Sequence, residues 1–135
     1  YLKQMNISCI MATHDSSDVL AFADETIVMR EGKLIQKNKT SEVYRGLTDK
    51  YTASLFDEVN EIPAALLDKN KQELILLYPH QIKVVEHSNF KVKIKNSYCE
   101  GGFYLIQAIH EDRTVYFENK LALEVGAFFF LARNE

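Results

Sequence analysis

Several features that would restrict the function of this chain are absent or rare in its sequence. The chain has no tryptophan, two prolines, five glycines and two cysteines among 135 residues. Cys9 and Cys99 lie far apart and lack the spacing of metal ligands, so the sequence indicates neither a zinc motif nor a disulfide framework. No apolar run approaches the roughly 18 residues that a membrane-spanning helix needs. We therefore expect a protein of the cytosol.

An excess of basic charge is missing as well. The 16 basic and 19 acidic residues give a net charge of −3, and neither half of the chain is basic. Nucleic acid is therefore not a favoured partner on electrostatic grounds. The phosphate-binding loop G-x-x-x-x-G-K-[ST] does not occur either. Gly32 alone among the glycines precedes a lysine, and Leu34 stands where serine or threonine is needed.

The first part of the chain alternates between strand and helix patterns. Residues 7–13 are nearly all apolar or small, which predicts a strand covered on both faces, as in a parallel sheet. Asp15 or Ser16 can cap a following amphipathic helix. Glu31-Gly32 is a turn signal between two short strands, since glycine tolerates a positive φ. The further predicted elements are strands at 26–29 and 33–37 and helices at 41–45, capped by Thr40, and 48–57.

From about residue 58 the apolar residues no longer recur at helical spacing but alternate with polar residues. Several short strands at close intervals predict a small β-barrel or β-sandwich. His80, His87 and His110 lie here at irregular spacings, and nothing in the pattern predicts that they converge on a metal. The predicted strands are 74–77, 82–85, 90–95, 102–109, 114–117 and 127–132.

The stretch from Ile7 to Gln36 resembles the switch-histidine region of ABC transporter ATP-binding subunits. An apolar strand leads into Thr13-His14-Asp15, Asp18 follows in the helix start, and Ala23-Asp24 precedes a strand ending in Met29 and the glycine turn. In that family, the P-loop, glutamine loop, signature sequence and Walker B strand precede this region. The resemblance therefore implies a C-terminal fragment of a longer ATPase subunit.

His14 is the candidate site residue, and the resemblance implies its role. The family's histidine at this place contacts the γ-phosphate of ATP and couples hydrolysis to the partner subunit. An imidazole can donate to a phosphate oxygen while its other nitrogen is held elsewhere. From the spacing alone, a histidine with a purely structural bond is the simpler interpretation. The family implies ATP and magnesium in the full-length parent, and we expect no cofactor or metal site in this fragment alone.

The second half resembles the accessory OB-like domain, of the TOBE type, that follows the ATPase domain in several ABC importers. Where that domain has R-P-E-x-[IL], this chain has Tyr78-Pro79-His80-Gln81-Ile82. Tyr78 and His80 thus replace the family's arginine and glutamate. The later pattern, with Gly101-Gly102-Phe103-Tyr104 and Val125-Gly126 before a last apolar strand, fits the domain.

Together these features predict an α/β remnant of a P-loop ATPase domain over residues 1–57, followed by an all-β OB-like domain over 58–135. The resemblance implies the regulatory or dimer-stabilising end of an importer subunit. It also implies three properties of the parent: pairing with a second copy, binding to transmembrane permease subunits, and a place on the inner face of the plasma membrane. The fragment itself should be inactive, and no residue selects the transported solute.

Two other classes of function stay open. One is a stand-alone OB-type module for an oligonucleotide or an anion, because Lys91, Lys93 and Lys95 share a strand face near Tyr98, Phe103 and Tyr104. The simpler interpretation of those lysines is a solvated strand face. The other is a structural dimerisation module, because an apolar strand at 7–13 would lack neighbouring strands and favour self-association or strand exchange.

Overall fold

The computed structural model describes residues 4–47, 49–68 and 70–134. Its contacts separate the chain into two compact units, Tyr1–Gly46 and Leu47–Glu135. From the sequence, the boundary between the two predicted domains was placed after residue 57. In the structure the segment 47–57 belongs to the second unit. None of the helices in the described residues is long and apolar enough to cross a membrane.

The first unit consists of a β-hairpin flanked by two short helices. Asp15 caps the first helix, because its carboxylate accepts the Ser17 N–H at 2.9 Å. Glu31 (φ 52°) and Gly32 (φ 77°) form the two-residue turn of the hairpin, as the sequence predicted. The elements are α1 (Ser16–Phe22), β1 (Glu25–Arg30), β2 (Lys33–Lys39) and α2 (Thr40–Gly46).

The predicted strand at residues 7–13 was wrong. These residues form neither helix nor strand and are exposed, with Ile10 at 101% and Met11 at 50% of full exposure. The pairing within residues 4–46 is the antiparallel β1–β2 ladder. A parallel strand is stable only between neighbours that take up its hydrogen bonds. The parallel sheet expected of an α/β remnant is therefore not confirmed.

The core of the first unit is small. Val28 and Val43 are buried at 4% and 2% exposure, where α2 packs against the hairpin. Thr40 is also buried, and its hydroxyl lies 2.7 Å from that of Thr26. Because α1 has no buried residue, its predicted apolar stripe remains largely on the surface.

The second unit is mostly β-structure. Its described residues include one α-helix, which Asp49 caps by accepting the N–H groups of Tyr51 and Thr52. The helix is shorter than the predicted 48–57. Strands β4 and β5 have the predicted bounds, and β6 and β8 extend beyond theirs. β7 begins two residues later than predicted and ends one later, and β9 is displaced by one residue. The elements are α3 (Lys50–Ser54), β3 (Asn60–Pro63), β4 (Leu74–Leu77), β5 (Ile82–Val85), β6 (Phe90–Cys99), β7 (Tyr104–His110), β8 (Arg113–Asn119) and β9 (Phe128–Arg133), with single-turn 3₁₀ helices at Ala64–Leu66 and Pro79–Gln81.

Strands β5 to β9 form a five-stranded antiparallel sheet in the order β5-β9-β6-β7-β8. The last strand inserts between the first two, and β5 and β8, at opposite ends of this order, contact each other. The sheet therefore curls towards a closed form, which is compatible with an OB-like domain. The hairpin β3–β4 forms a separate two-stranded sheet.

Alternation along the strands builds the core of the second unit. In β6, Phe90, Val92 and Ile94 are buried and the intervening lysines are exposed. β7 and β8 bury Ile106, Ala108, Val115 and Phe117 against them. Arg113 donates to the Glu61 carbonyl at 2.6 Å and so ties β3 to β8. One curved sheet thus supplies a continuous apolar interior.

Candidate functional site

His14 lies in the loop directly before α1, and its side chain is exposed. The residues on either side fix this loop. The N–H of Asp15 donates to the Thr13 hydroxyl at 3.0 Å, while the Asp15 carboxylate accepts from Ser17. His14 is therefore not at the end of a strand, as the sequence predicted, but on a short capped turn. Its imidazole is open to a ligand and can donate or accept a hydrogen bond there.

A second feature is the lysine pair on β6. The ammonium groups of Lys91 and Lys93 lie 4.7 and 5.9 Å from the centre of the Phe128 ring. Phe128 is 58% exposed, so the ring and both cations are accessible from solvent. The sequence placed Tyr98 beside these lysines, whereas the Tyr98 hydroxyl is within hydrogen-bond distance of Gln107, at 3.1 Å. Phe128 on β9 is an aromatic partner of Lys91 and Lys93.

A third feature was not predicted from the sequence. Asp57, His80 and Glu118 each offer a ligand atom, and the three atoms lie within 4.8 Å of one another. We call this the carboxylate–imidazole cluster. Asp57 follows α3, His80 lies in the second 3₁₀ helix, and Glu118 is on β8. No spacing motif links three residues so far apart in sequence, so only the folded chain brings them together.

Glu118 is the least exposed member of the cluster. Partial burial raises the pKa of its carboxyl above the ordinary value, His80 acts in the opposite direction, and Asp57 raises the pKa further. The causes are desolvation of a charge and repulsion between two carboxylates. The cluster therefore places two acidic groups near one another beside an imidazole.

The segment Tyr78 to Ile82 forms a tight turn that presents one member of the cluster. Tyr78 is buried at 1% exposure, and its ring stacks on the His80 imidazole with centroids 5.7 Å apart. The Gln81 side chain accepts the Tyr78 N–H at 2.8 Å. Tyr78 thus has a packing role here, and His80 projects from a fixed backbone.

Comparison with known proteins gives a consistent set of relatives. The putrescine transport ATP-binding protein PotG of Escherichia coli is 29% identical over 86 residues, which is 62% of this chain and 23% of that protein. The Fe(3+) ions import ATP-binding protein FbpC of Yersinia enterocolitica is 44% identical over 57 residues, 42% of this chain and 16% of the relative. The spermidine/putrescine import ATP-binding protein PotA of Vibrio cholerae is 29% identical over 91 residues, 67% of this chain and 24% of the relative.

No protein-family model matches the chain. The chain spans less than a quarter of the length of each of these relatives. The relatives agree in kind, because each is named as the ATP-binding protein of a transport system. The homologues of this chain are ATP-binding subunits of ABC importers, matched over 42–67% of its own length.

Proposed function

We propose that this chain forms the C-terminal portion of an ABC importer's ATP-binding subunit. Residues 1–57 would belong to the end of the ATPase domain and its exit helices. Residues 58–135 would form the accessory TOBE-type domain, which regulates the subunit or stabilises its dimer. The parent protein would couple hydrolysis of ATP, with magnesium, to uptake of a solute.

The observation that carries this proposal is the exposed His14 on its capped turn, followed by α1 and the β1–β2 hairpin. The resembling family has the same succession of histidine, helix, strand, glycine turn and strand. The named relatives import putrescine, spermidine or ferric ions, so a small cationic solute is the corresponding cargo. The curved five-stranded sheet supports the assignment of the second unit.

In the parent, His14 would donate a hydrogen bond to the γ-phosphate. Phosphoryl transfer depends on positioning and on stabilisation of charge on the phosphate oxygens, so one well-aimed donor has a large effect. The bonds at Thr13 and Asp15 hold the backbone on both sides of the ring. They would fix the direction from which the imidazole approaches the nucleotide.

The same proposal assigns partners and location. The subunit would pair with a second copy and dock on transmembrane permease subunits at the inner face of the plasma membrane. Nucleic acid is not among the proposed partners, since the net charge is −3 and binding to phosphate backbones requires cationic surface.

The test replaces His14 in the full-length subunit. His14→Ala should lower the rate of ATP hydrolysis about 100-fold or more, the order seen when a single transition-state donor is lost. Binding of a fluorescent ATP analogue should change little, because the phosphate-binding loop is separate. His87→Ala is the matched control, since His87 is also exposed and lies in the other unit. If His14→Ala hydrolysed ATP as fast as His87→Ala, the role assigned to His14 would be contradicted.

A complementary titration uses the 135-residue chain alone. We expect no magnesium-dependent binding of the ATP analogue at submillimolar concentration, because a P-loop does not occur in this sequence. Saturable binding in that range would argue against the C-terminal-portion proposal.

One observation favours a second candidate, an OB-type module for an oligonucleotide or an anion. Lys91 and Lys93 flank the accessible Phe128 ring, and a cation beside an aromatic platform is what single-stranded nucleic acid binds. An electrophoretic shift of oligothymidylate that weakens with salt and is lost in Lys91→Glu would favour this candidate. A matched Lys33→Glu variant in the hairpin should leave any such shift unchanged.

A further inference from the structure

We propose that Asp57, His80 and Glu118 form a binding site for a divalent transition metal of the zinc type. This site lies in the second unit, away from His14 in sequence, and is independent of the importer assignment.

The distances allow the three groups to share one ion. Ligand atoms around tetrahedral zinc stand about 3.4 Å apart, given bonds of roughly 2.1 Å. The three atoms here lie within 4.8 Å of one another. The three atoms are therefore at most about 1.4 Å further apart than the ligands of a bound ion.

Two of the three ligands sit on firmly held backbone. Glu118 lies in the ladder between β7 and β8, opposite Leu105 and next to the fully buried Phe117. His80 lies in a 3₁₀ turn closed by the Gln81 N–H to the Tyr78 carbonyl at 3.0 Å. Ligands presented from rigid elements lose little freedom when a metal binds.

Asp57 completes the set from the segment after α3. Its N–H donates to the Ala53 carbonyl at 3.3 Å, and its Oδ1 accepts the Glu58 N–H at 2.7 Å. A carboxylate has several acceptor positions on two oxygens, so this bond leaves room for a metal. The bond also orients the carboxylate, as hydrogen bonds to metal ligands generally do.

The chemistry of the ligands favours zinc-type ions over magnesium or calcium. An imidazole nitrogen with two carboxylate oxygens suits zinc, manganese or ferrous iron, while magnesium and calcium prefer oxygen ligands alone. Two carboxylates also balance the charge of a divalent ion beside a neutral imidazole. Water would occupy the remaining coordination positions of the metal, on the exposed side of the cluster.

The experiment titrates zinc chloride into the full chain by calorimetry. Cys9 and Cys99 are exposed, and serine replaces both so that thiolates do not compete. We expect one zinc per chain at micromolar concentration and a rise in Tm of several degrees, since a ligand bound to the folded state stabilises it. Magnesium chloride at the same concentration should produce neither effect.

Variants separate this site from other histidines and carboxylates. His80→Ala and Glu118→Gln should each weaken zinc binding about tenfold or more and remove the Tm rise. His87→Ala and Glu86→Gln, at exposed positions outside the cluster, should bind zinc as tightly as the 135-residue chain without these substitutions. No saturable binding, or equal binding by His80→Ala and His87→Ala, would overturn the proposal and leave the cluster as an ion pair.

Discussion

Asn60 shows how a single polar residue can hold two parts of the second unit together. The residue is buried at 3% exposure. Its Nδ2 donates to the Tyr116 carbonyl at 2.6 Å, and its Oδ1 accepts the Tyr116 N–H at 2.7 Å. This pair joins β3 to the middle of β8 as a strand neighbour would. A buried backbone amide without a partner is costly, so Asn60 is structurally essential here.

We therefore expect Asn60→Ala to lower the free energy of unfolding by about 3 kcal/mol, because the backbone N–H and C=O of Tyr116 both lose their partner inside the protein. Urea denaturation of the full chain measures this loss. Asn70→Ala, at an exposed position, should change stability by about 0.5 kcal/mol at most. If the two variants were equally stable, the structural role of Asn60 would be refuted.

The residues around His14 form a local sequence pattern, whereas those around His80 do not. The pattern around His14 was recognised because its residues are contiguous, and its functional role stays a proposal. For His80, nothing in the sequence pattern predicted convergence with other ligands. The structure leaves it exposed but places it beside Asp57 and Glu118. Long-range convergence has no local signature, which is why the sequence could not reveal the carboxylate–imidazole cluster.

At the scale of elements, the β1–β2 turn is the part of the first unit that the sequence determines most directly. Glu31 and Gly32 both have a positive φ, which matches the right-handed twist of a two-residue hairpin. A Cβ at Gly32 would meet no heavy atom within 4 Å. Any cost of a side chain there thus comes from backbone strain and not from a clash.

Gly32→Ala should destabilise the hairpin by about 1 kcal/mol, the cost of a left-handed backbone for an L-residue. Amide hydrogen exchange in residues 25–39 should accelerate about fivefold as a result. Gly46→Ala is the matched control, because that site is equally open and does not have a positive φ. Unchanged exchange in Gly32→Ala would show that the turn does not limit the hairpin.

The strand predictions were correct where the local sequence pattern and the tertiary environment agree. The strands at 74–77 and 82–85 were confirmed because their apolar residues face a core that the chain itself supplies. The strand at 7–13 failed for the opposite reason. Its apolar composition predicted burial on both faces, but the described residues 4–46 offer no strand to pair with it.

At the scale of the whole molecule, the two units differ in how well they bury apolar surface. The second unit has a continuous core of fully buried side chains. The first unit buries few apolar side chains. Its large apolar side chains remain between 41% and 101% exposed, namely Met5, Ile7, Ile10, Met11, Leu20, Phe22, Ile27, Met29, Leu34 and Ile35. A group of exposed large apolar side chains is typical of an interface.

We expect the chain to self-associate through this surface as concentration rises. Sedimentation velocity should show larger species at high concentration, and the double variant Ile10→Asp, Met11→Lys should shift the distribution towards monomer. Leu121→Asp, which alters a 72% exposed residue of the second unit, should leave it unchanged. If the unsubstituted 135-residue chain were monomeric at all concentrations, the prediction would be refuted.

The sequence by itself determined the short-range features of this protein: the helix cap at Asp15, the glycine hairpin and the alternating strands after residue 58. Each depends on φ preferences, capping or side-chain period, which neighbouring residues set. Tertiary structure decided whether residues 7–13 pair with anything, how β9 inserts beside β6, and which acidic groups meet His80. Those outcomes depend on contacts between distant segments, and the free energy of such contacts exists only once the chain is folded.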